Sequence, residues 1–249
     1  MHILHLTPYY APAYAFGGVV RSCEGMARAL ARRGHTVTVL TTDALDQTRR
    51  YSHSLDEIMD GVRVARARNA SPWLRGRANL STPLAMKKIA RDILDSVEVV
   101  HCHEFRTLEN LLVTPLAAAL GKPLVLSPHG TLTYETGRGG LKAIWDRLLS
   151  PSVAGRFSHV IGLSQAEVDE VRRLWLSFGA QADFRAIPNG VEPADYAHLA
   201  GRAGLHRGSG GRPGHHDRRR QRRGDSQSSV SGPASRFAQE HRAMSVAEG

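Results

Sequence analysis

The chain has 249 residues, 41% of them hydrophobic and only 6% aromatic, so it can build a core but must fill it mostly with Leu, Val, Ile and Ala. Its net charge of +10 is uneven: from Gly201 onward ten Arg, no Lys and four acidic residues give +6, which leaves the preceding body mildly basic and makes the high isoelectric point a poor sign of nucleic-acid binding by the folded part. Two cysteines in separate segments, Cys23 and Cys102, exclude a disulfide framework and suit a reducing compartment, and the most apolar stretch, Leu111 to Leu126, is too broken by Pro115, Gly121, Lys122 and Pro123 to span a membrane.

The N-terminus carries no charged region ahead of an apolar run, so no secretory signal is expected and the predicted location is cytoplasmic. Ile3 to Thr7 reads as a buried strand, stopped by Pro8. Gly17 to Arg33 reads as a helix, with Val19, Val20, Cys23, Met26, Ala27 and Leu30 at its apolar positions. Gly34 ends it, where a left-handed cap costs glycine least. Thr36 to Thr41 is short and β-branched, hence a strand, and the first 41 residues form a β-α-β unit with parallel strands.

The alternation continues through a short strand at Val62 to Ala65, a helix from Thr82 to Ser96 and a strand from Val97 to Cys102. Leu108 to Leu120 is helical with a kink or an offset start expected at Pro115. Strands follow at Pro123 to Ser127 and His159 to Leu163, with a helix from Leu141 to Leu149 between them. Ser164-Gln165-Ala166-Glu167 reads as a capping box that opens a helix to about Leu176. A last strand, Phe184 to Ile187, leads into a Pro188-Asn189-Gly190 turn. This order predicts an α/β fold with one Rossmann-like open parallel sheet and helices on both faces.

The pattern stops near Ala197. Residues 201–249 hold four residues of the Leu, Ile, Val and Phe class, nine glycines and the run Arg218-Arg219-Arg220-Gln221-Arg222-Arg223. Such a composition buries too little apolar surface to offset chain entropy, so the expected division is a domain over 1–197 and a disordered basic tail over 198–249.

Ligands of open α/β sheets bind beyond the carboxyl ends of the strands. After the first strand, the loop from Thr7 ends in Gly17-Gly18 at a helix start, where bare N–H groups and the helix dipole suit a phosphate; a plain tight turn is the alternative. His101-Cys102-His103-Glu104 has metal-ligand residue types, but strand alternation turns Cys102 away from both histidines, so no metal site is expected and a polar strand tip facing a cleft fits better. Ser127-Pro128-His129-Gly130-Thr131 places His129 at the sheet edge with Gly130 allowing close approach. That histidine either donates to a hydroxyl or phosphate oxygen or is a hydrogen-bonded loop residue.

Three of these segments, taken in order, resemble the N-terminal half of family 4 glycosyltransferases, retaining enzymes of the GT-B fold. They are His2-Ile3-Leu4-His5-Leu6-Thr7-Pro8-Tyr9-Tyr10 leading to Gly17-Gly18 and Arg33-Gly34-His35-Thr36-Val37; Ser127-Pro128-His129-Gly130; and Ile187-Pro188-Asn189-Gly190-Val191. The resemblance covers about residues 1 to 197 and implies an acceptor-side domain facing a nucleotide-sugar donor held mainly by a second domain. It implies that Gly17 and Gly18 approach the donor diphosphate and that His129, beside Gly130, contacts the transferred sugar as the catalytic residue. His103, Glu104 and Arg106 would face substrate. Attack from the front face, assisted by the leaving phosphate, needs no carboxylate pair here, and no cofactor or metal is implied beyond the nucleotide-sugar substrate.

The family's second domain carries its own Gly-rich loop and a pair of glutamates eight apart; after Gly190 the spacing occurs only as Glu240 and Glu248, inside the tail expected to be disordered. The Arg, Gly, Ser, Pro and His bias there resembles GC-rich DNA translated out of frame, so a frameshift or truncation just after Asp195 is expected, with little activity from the chain alone. The expected partners are a nucleotide-sugar donor and a glycan or lipid-linked acceptor, in glycan or exopolysaccharide synthesis; a non-catalytic acceptor-binding module is the alternative. No specific nucleic acid is expected, since the Arg-rich tail is not interleaved with aromatics. Arg63, Arg66, Arg68, Arg75, Arg77, Lys87, Lys88 and Arg91 form either a solvated basic face or a peripheral contact with anionic lipid at the inner face of the membrane.

Overall fold

The computed structural model describes residues 1–132 and 139–190. The expectations for the tail over 198–249, the boundary at 197 and Val191 of the third motif lie outside the described residues.

Strand β1 (His2–Leu6) leads through a short 3₁₀ turn (Tyr14–Phe16) to helix α1 (Gly18–Arg32), then β2 (Thr36–Thr42). There follow β3 (Asp56–Met59), β4 (Val62–Asn69), α2 (Pro72–Ala78), β5 (Pro83–Leu84), α3 (Met86–Leu94), β6 (Val99–His103) and α4 (Leu108–Ala119). The last elements are β7 (Leu124–Ser127), α5 (Gly139–Leu148), α6 (Ser150–Ala154), β8 (His159–Gly162), α7 (Gln165–Ser177) and β9 (Asp183–Ala186). The sheet order is β3-β4-β2-β1-β6-β7-β8-β9, with β5 pairing the end of β4. From β4 to β9 along this path every pairing is parallel, and only β3 and β5 run antiparallel, both to β4. The expected open parallel sheet with helices on both faces is what the chain forms.

Alternation along the strands makes the two faces. Leu4 and Leu6 of β1 join Leu40, Val100, Cys102, Leu124 and Leu126 in one apolar layer under α3 and α4, which supply Met86, Ala90, Ile93, Val113 and Ala117. Val37, Val39, Val62 and Val64 pack on the other face against Cys23 and Ala27 of α1. Val20, Cys23 and Ala27 recur at helical spacing, and these are the residues α1 buries. Gly34 stands just beyond α1 at φ +83°, as its cap position requires. An aromatic cluster of Phe105, Phe157, Trp175, Phe178 and Phe184 ties α7 to the far end of the sheet.

Several boundaries differ from the sequence reading. The helix expected from Thr82 starts only at Met86, because Pro83 and Leu84 pair with Asn69 and Arg68. The strand at Val62 is twice as long as expected and forms a hairpin with β3. Its turn residues Asp60 and Gly61 are both left-handed, at φ 51° and 81°, a pairing of angles that matches strand twist. Helix α4 starts at Leu108 and runs through Pro115, capped by Thr107, whose Oγ1 accepts from the Asn110 N–H at 3.2 Å.

The capping box is only half formed. Ser164 Oγ accepts from the Glu167 N–H at 3.2 Å, but the Glu167 carboxylate passes by the cap residue and accepts instead from the N–H groups of Leu163 and Gly130, each at 2.6 Å. Ser164→Ala removes the cap of α7 and is expected to cost about 1 kcal/mol in urea denaturation. An unchanged midpoint would mean that Glu167 alone holds the helix start.

The basic cluster also resolves differently. Arg66 and Arg75 are buried. Arg66 donates to the Ala11 carbonyl at 2.6 Å, and Arg75 to the Gln47 and Arg49 carbonyls at 3.1 and 3.3 Å. These two cannot face a lipid surface or form a solvated face.

Candidate functional site

The carboxyl ends of β1, β6 and β7 bring the first and second motifs to one edge. Gly17 is the N-cap of α1 at φ +101°, a conformation that favours glycine, and its own N–H is taken by the Tyr14 carbonyl at 3.1 Å. Gly18 opens the helix. A Cβ added there would meet nothing within 4 Å, so the fold itself leaves room in front of this helix start. Among the described residues no side chain caps α1 and no acidic residue stands in its first turn, and Gly17 and Gly18 at its positive end are exposed. The third motif reaches the same helix: Ser22 Oγ donates to Asn189 Oδ1 at 2.7 Å.

Strand β6 delivers His103, fully buried, and then turns sharply. Glu104 is left-handed at φ 63°, fixed by its N–H to the Ser127 carbonyl at 2.9 Å and by Asn110 Nδ2 donating to its carbonyl at 2.8 Å. His129 and Gly130 after β7 are left-handed as well, at φ 57° and 71°. A non-glycine residue in that region costs about 1–2 kcal/mol, and two such residues sit side by side at this edge. The Glu167 carboxylate on the Gly130 N–H holds the second turn in place.

A cavity of about 930 Å³ opens next to these turns. Ser81, Glu104, Arg106, Thr107 and Gly130 line it with polar groups, as do Asn79, Thr131 and Lys142, the last of these on α5. Leu74, Ala78 and Leu80 from α2 and its following loop, with Leu141, Ile144 and Trp145 from α5, form an apolar wall. Burial, and secondarily the charge of Glu109, raises the Glu104 carboxyl to about 7. Glu109 is itself buried and raised by burial, and Ser81 Oγ donates to it. The Arg106 guanidinium is held by a bidentate pair with Asp146, at 2.8 and 2.7 Å, and donates to the carbonyls of Thr131 and Leu132 at 3.2 and 3.0 Å. It therefore braces α5 against the loop after β7 while lining the cavity.

Among the predicted residues, His103, Glu104, Arg106, His129 and Gly130 thus share one edge, with Gly17 and Gly18 at the start of α1. Sequence reasoning missed His5, Glu109, Asp146 and Glu167. His5 faces the same side of the sheet as His101 and His103, because β1 pairs β6 with His5 opposite His101. His5, Cys23 and His103 bring metal-ligand atom types within 4.8 Å of one another. Yet His5 Nδ1 and His103 Nε2 already bond each other at 2.9 Å, and burial raises the Cys23 thiol far above the usual range, which disfavours the thiolate a metal needs.

The model of Glycosyltransferase Family 4 matches residues 16–195. Among curated proteins, GDP-mannose:cellobiosyl-diphosphopolyprenol alpha-mannosyltransferase of Xanthomonas campestris is 26% identical over 206 residues, 82% of this chain and 50% of that protein. Glycogen synthase of Mycobacterium tuberculosis is 27% identical over 220 residues, 81% of this chain and 51% of that protein. The chain thus spans about half the length of these curated relatives. The crystal structure of Anabaena HepE with UDP-glucose aligns over 83% of this chain and 50% of that one, with a TM-score of 0.48 and 19% identity.

Proposed function

The chain belongs to Glycosyltransferase Family 4, and on that premise we propose that its described residues form the acceptor side of a sugar-transfer site. The observation that carries this is the cavity at the carboxyl edge, polar at Glu104 and Gly130 and apolar along α2 and α5. That division suits an amphipathic acceptor, a sugar hydroxyl near Glu104 and a lipid-like portion along the apolar wall. The Xanthomonas relative, whose name specifies a GDP-mannose donor and a diphosphopolyprenol-linked acceptor, supports a nucleotide-sugar donor and a lipid-linked glycan as substrates.

In this reading the acceptor oxygen bonds to the anomeric carbon as the bond from that carbon to the diphosphate breaks. The acceptor proton passes to the leaving phosphate oxygen on the same face, so hexosyl transfer retains configuration and requires no metal. The uncapped start of α1 stabilises charge developing on the diphosphate, and His129 contacts the transferred sugar. A lipid-linked acceptor would bring the protein to the inner face of the membrane, in cell-envelope glycan or exopolysaccharide synthesis. Among the described residues no helix is long and apolar enough to cross a membrane.

Trp145 on the cavity wall makes the reading testable. The full chain, titrated with a polyprenyl-diphosphate disaccharide in detergent, is expected to show a saturable emission change that Trp145→Phe abolishes. Ala78→Phe, which fills the cavity, should weaken it at least tenfold. The same samples receive GDP- or UDP-linked labelled sugars to detect transfer. No response and no transfer would sink the proposal. Binding without transfer from any donor would favour a non-catalytic acceptor-binding module.

A further inference from the structure

Helix α5 is built inside out. Its one acidic residue, Asp146, is buried, whereas Leu141, Ile144 and Leu148 are 61%, 58% and 68% exposed. These three recur at helical spacing and form one stripe. At the ordinary helical pitch Lys142 and Arg147 fall on opposite sides of that stripe. A helix of a globular domain ordinarily turns its leucines inward and its aspartate to water, so the reversed arrangement marks a surface made to be covered.

The other wall of the cavity repeats the pattern. Helix α2 holds no acidic residue and exposes Trp73 at 65%. The Arg77 guanidinium lies 5.8 Å from the centre of that indole ring. Both helices line the cavity, α2 with Leu74 and Ala78, α5 with Leu141, Ile144 and Trp145. Leu141 and Ile144 belong to the cavity wall and to the exposed stripe at once, so the apolar lining runs out onto the surface.

Charge selects what covers this face. Arg77, Lys142 and Arg147 stand among the apolar groups, and neither helix has an exposed acidic residue. Residues 201–249, at +6, would be repelled by these cations, and a second copy of the same face would set like charges together. An anionic bilayer meets both demands: headgroups accept the cations, and the boundary of the acyl chains accepts leucine and tryptophan.

We propose that the outer faces of α2 and α5 dock on an anionic bilayer. Trp73, Leu141, Ile144 and Leu148 enter the headgroup region, and Arg77, Lys142 and Arg147 meet acidic lipid headgroups. This surface shares only Arg77 with the cluster of basic residues read from the sequence. Docking there makes the apolar wall of the cavity continuous with the membrane interior, so a lipid-linked acceptor reaches Glu104 without passing through water. That consequence rests on the reading of the cavity as the acceptor's seat, but docking itself is measured without acceptor.

The full chain is floated with vesicles of phosphatidylcholine alone or of equimolar phosphatidylcholine and phosphatidylglycerol, both free of polyprenyl lipid. Binding to the anionic vesicles is expected to be stronger by about tenfold or more. Residues 201–249 attract such vesicles by charge alone, so the deciding sample is Trp73→Ser with Leu148→Ser, which keeps every charge and leaves the cavity lining intact. It should weaken anionic binding by about tenfold or more. Both side chains are exposed, so its urea midpoint should match the wild type. Brominated phosphatidylglycerol should also quench, in the wild type, the emission that Trp73→Phe removes, an arm that needs no folded serine variant. Equal binding by the double variant, equal binding to both vesicle types, or an unquenched Trp73 would each overturn the proposal. So would a dimer in solution that the double variant dissolves, since the face would then belong to a second copy. Docking without an acceptor-dependent change at Trp145 would leave the membrane face standing and remove the acceptor reading instead.

Discussion

Asp146→Ala is expected to destabilise the folded chain by about 3–5 kcal/mol, because it removes the carboxylate that pairs with the buried Arg106 guanidinium through two bonds. Arg106 and Asp146 side chains are only 9% and 6% exposed. Their contact is bidentate, and Ser150 Oγ adds a third bond to the same carboxylate at 2.6 Å. The Thr131 and Leu132 carbonyls continue to solvate the guanidinium in the variant, so the lower end of that range is the better expectation.

The pair matters more than its net worth suggests. Helix α5 exposes Leu141, Ile144 and Leu148, so little apolar burial anchors it, and the ion pair fixes its position over the cavity. In thermal denaturation a loss of 3 kcal/mol would lower the melting temperature of a chain this size by roughly 6–12 °C. The double variant Arg106→Met with Asp146→Leu should recover most of the loss, because apolar residues of similar size avoid burying an unpaired charge. A loss below about 1 kcal/mol for Asp146→Ala would show a solvated pair and would remove this brace from the account of the cavity.

How far the sequence discloses this site depends on the distance between partners. The β1-α1-β2 unit is legible because Val20, Cys23 and Ala27 have helical spacing and Gly34 marks the end of the helix within the same stretch. Helix α2 carries an equally local signal, Ser71 as cap with Pro72 in the first turn. The side chain of Arg75 then turned inward, which charge alone does not announce. Glu167 looked like a capping-box residue because its local spacing was right, whereas one of its two partners, Gly130, is 37 residues away. Arg106 and Asp146 are 40 apart, with no periodicity to connect them. His5 was within reach of inference. In a Rossmann-like order the first strand lies beside the fourth parallel one, and alternation then sets His5 among His101 and His103.

Glu104→Gln is expected to flatten the fall in stability between about pH 4.5 and pH 7. The Glu104 carboxyl has an ordinary value of 4.5 and is raised to about 7 in the fold, first by burial and then by Glu109. In that window the unfolded chain releases the proton while the folded chain retains it, so the native state binds more protons and stability declines as pH rises. Above pH 7 both states are ionised and the decline ends. The full shift would correspond to somewhat over 3 kcal/mol. The side chain opens to the cavity, where solvent screens part of this, so about 2 kcal/mol is the expected loss. Buried His5 contributes in the opposite sense. Neutral in the fold down to about pH 4, it adds stability that is lost as pH falls below 6.5. The wild-type profile alone therefore mixes both slopes. The buried histidines are common to both chains, so subtracting the Glu104→Gln profile from the wild-type one isolates the part due to Glu104. Urea denaturation of both chains from pH 4.5 to pH 8 should give a difference that widens by about 2 kcal/mol and then levels; parallel profiles would show an ordinary, solvated carboxylate. A carboxyl that titrates near 7 at the polar end of the cavity exchanges its proton readily at neutral pH, and a sugar hydroxyl placed there would meet a group able to hold it in either protonation state.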